Sequence, residues 1–477
     1  MLLLAIVIAP IALGLVALAT PSARLRAWLV PAGGLIHAAL TLVAVTGDVA
    51  PAGNGWLVLD PLGRILLGLL SLQYLICALY VPAYLALRPD RPSRVFCAAL
   101  LVFIGAMSLA VIAHHLGLMW VAIETTTLSS APLLYFNRNP RSLEAVWKYL
   151  LIGSVGIALA LFGSFFLAYA ALQTGQGSSL LFDDLVANAA QLSRPWLHTA
   201  FVVLFVGYGT KLGLAPMHTW KPDAYGEAPG LVGALLAGGL TSCAFLALLR
   251  FVQILNAAGD GAFARQLLLV MGLVSMAVAG VFMARQRDYK RMLAYSSVEH
   301  MGILIFGIGV GGLGTFGALL HLVNNALGKG VLFLSAGNIH RAYGSKSTDD
   351  VTGAIRYTPV SAMLFLAGFF AITASPPFGL FISELTILQA SFAEGRFVEG
   401  ALFLVLIAII FMGMGATVVR IVQGSPPAGR TPGTYREPLL TLLSPALFLA
   451  LVLVLGVWIP GPLSDALRDA AAFLEMR

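Results

Sequence analysis

Residues 204–216 read LFVGYGTKLGLAP, an apolar run that holds a lysine and then stops at a proline. A charge at the centre of a bilayer costs about 2.5–3.5 kcal/mol on insertion scales. Lys211 therefore needs a reason to be there. Pro216 removes a backbone donor, frees a carbonyl and kinks the helix. In lipid such a break is tolerated where the exposed backbone is buried in protein or lines a watery cavity. The stretch reads as an interrupted membrane helix carrying a charge for a purpose.

The surrounding chain supports that reading. It has 477 residues, 59% hydrophobic and 10% charged, with mean hydropathy +0.92; a soluble domain is nearer a quarter charged. Apolar runs long enough to cross a hydrocarbon core recur from end to end. They lack the two-residue alternation of barrel strands. The fold class is all-α and polytopic, with about 14 transmembrane helices. The spans fall near 2–20, 27–46, 62–87, 97–114, 116–135, 146–172, 197–220, 228–253, 265–284, 292–311, 314–339, 357–392, 398–419 and 438–460. The first is taken as a retained helix, because its basic residues follow the apolar run instead of preceding it. Cys77, Cys97 and Cys243 are scattered, with no CxxC spacing, and this argues against cluster, metal or disulfide roles.

Charge sets the orientation. If odd-numbered spans end in the cytoplasm, nineteen of the 28 basic residues fall in cytoplasmic connections, among them Lys148, Lys221, Arg285, Lys290, Arg341 and Arg430. Seven fall on the other side: Arg64, Arg194, Arg250, Arg265, Arg396, Arg468 and Arg477. That bias follows the positive-inside rule and puts both termini outside the cytoplasm. Two basic residues are left at membrane depth, Lys211 and Lys329.

Two carboxylates join them: Glu124 in WVAIETTTLSS and Glu384 in SPPFGLFISE. A Lys–Glu pair gluing two helices is the structural alternative. Apolar packing would do that work with less desolvation, so four such residues point to an ion or proton path. Burial lowers the proton affinity of a lysine and a nearby carboxylate restores it, so the two form a switchable pair; the pairs expected are Glu124 with Lys211 and Lys329 with Glu384. His321 shares a helix face with Asn325 and Lys329, and His300 sits beside Ser296 and Ser297. Lys148 is a candidate water-side mouth for the first half. Glu144, Glu227 and Glu299, near span ends, take ordinary solvated charge as the default, and His114 and His340 read as interfacial. The second break, at Pro376 and Pro377, precedes Glu384 as the first, at Pro216, follows Lys211. Paired broken helices of opposite sense are a mark of inverted transport repeats.

The motifs WVAIETTTLSS, SLEAVWKYLLIGSVGIALAL, KLGLAPMHTWKPDAYGEAP, KRMLAYSSVEHMG, HLVNNALGKGVLFLSAGN and SPPFGLFISE together resemble the antiporter-like proton-pumping subunits of respiratory complex I and related complexes. The wording of YSSVEHMG, LSAGN and PPFGLFISE is nearer the hydrogenase-4 component F branch, of the membrane-bound NiFe hydrogenase and formate hydrogenlyase type. The resemblance implies 14 helices with two inverted five-helix repeats, each with one discontinuous helix. The divisions would be 1–95 for three leading helices, 96–254 for the first repeat, 265–420 for the second and 437–477 for the last helix. It implies that Glu124, Lys211, Lys329, His321 and Glu384 carry protons. Some members have a lysine in the eighth span; here Thr241 and Ser242 are the nearest polar groups, which leaves the link between the halves open.

No cysteine ligand set, P-loop or dinucleotide fingerprint is present. The expected role is a non-redox, proton-translocating membrane subunit of an oxidoreductase complex of the NADH-quinone or hydrogenase type. NiFe, Fe–S, flavin or quinone would belong to partner subunits, which comprise other membrane subunits and a peripheral redox arm. The expected location is a bacterial inner membrane. The competing readings are a component of a multisubunit Na⁺/H⁺ antiporter and a structural scaffold within a larger complex.

Overall fold

A computed structural model describes residues 1–173, 175, 179–284, 286–425 and 436–475. Arg285, Arg430 and Arg477, part of the charge count above, lie outside the described residues. The helices are α1 Leu2–Ala19, α2 Ala23–Thr46, α3 Pro61–Ala86, α4 Arg94–Ile112, α5 Leu116–Leu134, α6 Pro140–Leu172, α7 Phe182–Ala187, α8 Arg194–Leu212, α9 Trp220–Glu227, α10 Gly230–Leu235, α11 Thr241–Ala257, α12 Gly261–Met283, α13 Tyr289–Val310, α14 Leu313–Tyr343, α15 Pro359–Ile372, α16 Gly379–Ala393, α17 Phe397–Gln423, α18 Leu439–Val457 and α19 Gly461–Glu475. Among the described residues the only extended pairings are four isolated bridges.

Among the described residues eleven helical stretches are long and apolar enough to cross a membrane, with α10 and α11 forming one of them, Gly230–Ala257. Three further crossings complete the expected fourteen. One is α5, whose ETTTLSS run lowers its hydropathy. The others are the interrupted pairs, α8 with α9 and α15 with α16, broken where the sequence places the prolines. The chain leaves its helical path at 213–219 and again at 373–378. Each gap contains a cis peptide bond, Ala215–Pro216 and Pro376–Pro377. The segment read as one last helix is two. α18 crosses, and α19 is a separate amphipathic helix that buries Leu467, Ala470, Ala471 and Leu474. Gln253 and Asn256 of α11 donate to the carbonyls of Phe473 and Leu474 at 2.9 and 3.0 Å. Glu475 accepts from Gly312 N and Thr315 Oγ1 at the start of α14.

The apolar windows of α10–α11, α13 and α14 are entirely buried, whereas those of α1 and α17 are largely exposed. Lys329, His300, His321 and Glu299 lie on the enclosed helices α13 and α14. Within each half, two helices meet backbone to backbone. A Cβ on Gly207 of α8 would stand 2.5 Å from the nitrogen of Ala160 on α6. On α12 and α13, a Cβ on Gly302 would stand 2.7 Å from the carbonyl oxygen of Gly272. Small residues of this kind let membrane helices approach closely, where van der Waals packing drives association.

Arg250, counted with the sparsely charged side, is buried inside α11. It pairs with Asp60, which also caps α3 by accepting from Gly63 N at 2.7 Å. His114 is buried too, not interfacial, lying 3.4 Å from Asp60 Oδ2 and 3.4 Å from Asp183 Oδ1. Burial by itself would raise the Asp60 carboxyl; Arg250 and His114 outweigh that and hold it well below the usual carboxylate range.

Candidate functional site

In the first half, Glu124 and Lys211 do not touch directly. α5 places Glu124 and Thr127 on one face, three residues apart. Thr127 Oγ1 donates to Glu124 Oε2 at 3.2 Å, and Lys211 Nζ donates to Thr127 Oγ1. Ser154 of α6 donates to the other carboxylate oxygen at 2.9 Å. Lys211 is 1% exposed. Its ammonium lies 3.4 Å from Tyr149 Oη and 4.9 Å from the centre of that ring, a cation–π contact that offsets part of its lost hydration.

The second half repeats this device. Lys329 Nζ donates to Ser296 Oγ at 2.7 Å. Glu299 lies three residues along α13 from Ser296, one turn away on the same side of the helix. In both halves the lysine thus donates to a hydroxyl one helical turn from a carboxylate: Thr127 near Glu124 for Lys211, and Ser296 near Glu299 for Lys329. Glu299 was expected to be solvated; it is 4% exposed. Its position was visible in the sequence, since a span opening at 292 already puts residue 299 two turns deep. Glu299 thus joins Glu384 as a second carboxylate in the enclosed second half with Lys329. Beyond it, His300 Nδ1 lies 3.0 Å from His321 Nε2, and His321 Nδ1 lies 3.0 Å from Ser383 Oγ, next to Glu384. Asn325, on the same face of α14, is buried with its Oδ1 unpartnered.

Lys221 joins the two strings. The charge count put it in a cytoplasmic connection, but it is fully buried. The break turns the chain so that Lys221 Nζ donates to Leu212 O at 2.7 Å and lies 3.4 Å from Ser297 O. Leu212 adjoins Lys211, and Ser297 adjoins Ser296. The turn needs Gly213, which closes α8 with φ +81°, in the left-handed region where a side chain is strained. A Cβ there would also stand 2.6 Å from Lys221 Cδ. By sequence Lys221 falls just past the end of its span and so with the cytoplasmic connections; the path the chain takes through 213–219 cannot be read from the proline alone. Lys290, another presumed loop charge, is likewise buried, its Nζ 2.5 Å from Ala228 O.

Lys148 is half-exposed and lies at the end of the bundle where the basic connections gather. It is bound to Glu144 at 2.6 Å and to Asp223 at 2.9 Å, and Arg291 pairs with the other oxygen of Asp223. This cluster lies at the surface beside α9, with the buried string behind it.

The profile described as NADH:quinone oxidoreductase/Mrp antiporter, TM, matches residues 113–415. The chain belongs to that family. A hydrogenase-4 component F homolog of Methylacidiphilum infernorum is 37% identical over 77% of this chain and 77% of its own length. The NADH-quinone oxidoreductase subunit N of Desulforudis audaxviator is 30% identical over 89% of this chain and 88% of its own. In solved structures, a chain of the Mrp complex from Dietzia sp. superposes with a TM-score of 0.86 at 19% identity, covering 99% and 97% of the two chains. That likeness shows the fold. The family match spans both strings, from before Glu124 to beyond Glu384.

Proposed function

We propose that this chain is the proton-translocating membrane subunit of a complex I-like or hydrogenase-4-like oxidoreductase complex. The observation that carries the reading is the alignment of titratable and hydroxyl groups through both halves, most of them buried. Glu124, Thr127 and Lys211 are hydrogen-bonded in the first half and Lys329 donates to Ser296 in the second; Lys221 stands between them against the carbonyls of Leu212 and Ser297, and His300, His321 and Ser383 lead on to Glu384. Lysines held by hydroxyls are ready donors, and histidines and carboxylates are ready acceptors. Lys148 and Asp223 form the water-side mouth of the first half, where acidic and basic groups exchange protons with solvent. A charge shift at Glu124 changes the proton affinity of Lys211, and the change passes by Lys221 to Lys329, since neighbouring buried sites titrate together. Glu384 is the far terminus. Redox cofactors belong to partner subunits, as in the complexes for which the relatives are named; the membrane is a bacterial inner membrane, with both termini on its non-cytoplasmic side.

The Na⁺/H⁺ antiporter reading shares the fold. The chemistry beside Glu384 weighs against it: the groups that converge there include two imidazoles, and Na⁺ is held by oxygens, as are the other hard cations. The test is acidification by proteoliposomes carrying the whole complex, with and without Na⁺. Transport that persists without Na⁺ and falls at least about tenfold in Lys211→Met supports the proposal. Transport that requires Na⁺ overturns it in favour of the antiporter, and wild-type rates in an assembled Lys211→Met complex leave the chain a scaffold.

A further inference from the structure

The two histidines meet in an arrangement that a single proton does not exhaust. His300 Nδ1 and His321 Nε2 face each other at 3.0 Å. The far nitrogen of each ring points to an oxygen. For His321 it is Ser383 Oγ at 3.0 Å; for His300 it is Glu299 Oε2 at 4.0 Å, and no hydrogen-bond partner is nearer among the described residues. When those far nitrogens carry the ring protons, the facing nitrogens both present lone pairs. Two lone pairs 3.0 Å apart repel unless a cation lies between them. Glu384 supplies a third donor: one ligand atom from each of His300, His321 and Glu384 lies within 4.8 Å of the others. All three residues are buried.

We propose that His300, His321 and Glu384 form a binding site for a divalent transition-metal ion of the zinc class, and that a seated ion shuts proton passage through the second half. Two imidazoles and one carboxylate are a donor set that zinc takes, at about 2.0–2.2 Å. Tetrahedral ligands at that length stand roughly 3.3 Å apart, so the histidine pair opens by only about 0.3 Å to admit the ion. Metal-bound histidines usually donate their outer N–H to an oxygen; Ser383 Oγ stands at that distance from His321, 3.0 Å, and Glu299 lies 4.0 Å from the outer nitrogen of His300. Glu384 supplies negative charge to the ion directly. The nitrogen donors exclude Na⁺, Mg²⁺ and Ca²⁺, which take oxygen ligands. Glu384 keeps 5% of its surface exposed and is the member of the trio that an incoming ion meets first. The ligands come from α13, α14 and α16, so no short spacing in the sequence announces them. The binding is independent of the proposed proton path; the block rests on it.

The experiment uses the intact complex, stripped with chelator and equilibrated with micromolar Zn²⁺. Bound zinc per chain is measured by mass spectrometry and its ligands by X-ray absorption. Wild type is expected to hold one more zinc than His321→Ala, with nitrogen and oxygen ligands at about 2.0 Å. His300→Cys is expected to keep the ion and to show one sulfur ligand at about 2.3 Å. An assembled His300→Cys complex without that sulfur overturns the site, whether or not the alanine variant folds. Zn²⁺ is expected to slow acidification by wild-type proteoliposomes about tenfold, reversibly with chelator. Zinc that binds with the sulfur signature yet leaves acidification unchanged overturns the block. Missing sulfur with Lys211-dependent transport intact sinks the site and spares the proton path; the sulfur signature with transport indifferent to Lys211 spares the site and sinks the path.

Discussion

Lys221→Met tests how the two halves are joined. Lys221 Nζ donates to Leu212 O at 2.7 Å and lies 3.4 Å from Ser297 O, between one string and the other. Methionine keeps the length and slimness that the site demands, with Gly213 packed against the side chain. Losing the ammonium leaves a buried carbonyl unpaired, at a cost of about 1–3 kcal/mol. It also removes the desolvation penalty of a buried ion, which is several kcal/mol. The two effects oppose each other, so the variant complex is expected to assemble and to melt within a few degrees of wild type. Transport has no such compensation, because residue 221 can no longer take up or release a proton. Acidification by proteoliposomes of the whole complex is expected to fall at least about tenfold, equivalent to about 1.4 kcal/mol of barrier. Lys221→Arg separates the two duties: arginine donates hydrogen bonds but keeps its proton, so it is expected to assemble and still transport slowly. A Lys221→Met complex that assembles and acidifies at the wild-type rate would refute the idea that protons pass through this residue.

Thr127→Val and Ser296→Ala each delete the hydroxyl to which a buried lysine donates; each is expected to slow acidification about tenfold while costing roughly 1–3 kcal/mol in stability, and unchanged rates in both would show that the hydroxyls only pack. Asp60→Asn breaks the pair with Arg250 and is expected to cost about 3–5 kcal/mol, read from thermal unfolding near neutral pH. The folded Asp60 carboxyl is held below its unfolded value of about 3.9, so its contribution is complete above that value and is lost as pH falls through the lowered folded one. The stability gap between wild type and Asp60→Asn should narrow in acid; a gap that widens would contradict the assignment. Gly213→Ala forces a side chain into the left-handed region, at about 1–2 kcal/mol, and presses on Lys221; it is expected to lower the melting temperature and to depress transport as Lys221→Met does, and normal values for both would argue against a rigid break.

The fold was largely legible, because each span announces itself by length and apolarity and the prolines at 216, 376 and 377 mark both interruptions. Glu124, Lys211, Lys329 and Glu384 could be read as misplaced charges, since a lysine or carboxylate inside an apolar run has no cheap explanation. The partners could not be read. Thr127 and Ser296 are ordinary helix residues until the fold turns them toward a lysine. Lys221 stood one residue past the assumed end of its span, and the turn at Gly213 that buries it could not be read from the sequence. Glu299 was discounted for lying near a boundary, though boundaries shift by a few residues. Arg250 was read as a loop charge for the same reason, and only the folded chain brings Asp60 to meet it.

The close seams inside each half set a limit on how such a device can operate. With the carbonyl of Gly272 where a methyl on Gly302 would have to be, and Ala160 likewise filling the space beside Gly207, each seam is closed to any added side chain. A field acting on the side chains around Lys211 would need no sliding of these helices, so vibrational probes placed beside Lys211 would register such a stroke where a measure of helix displacement would not.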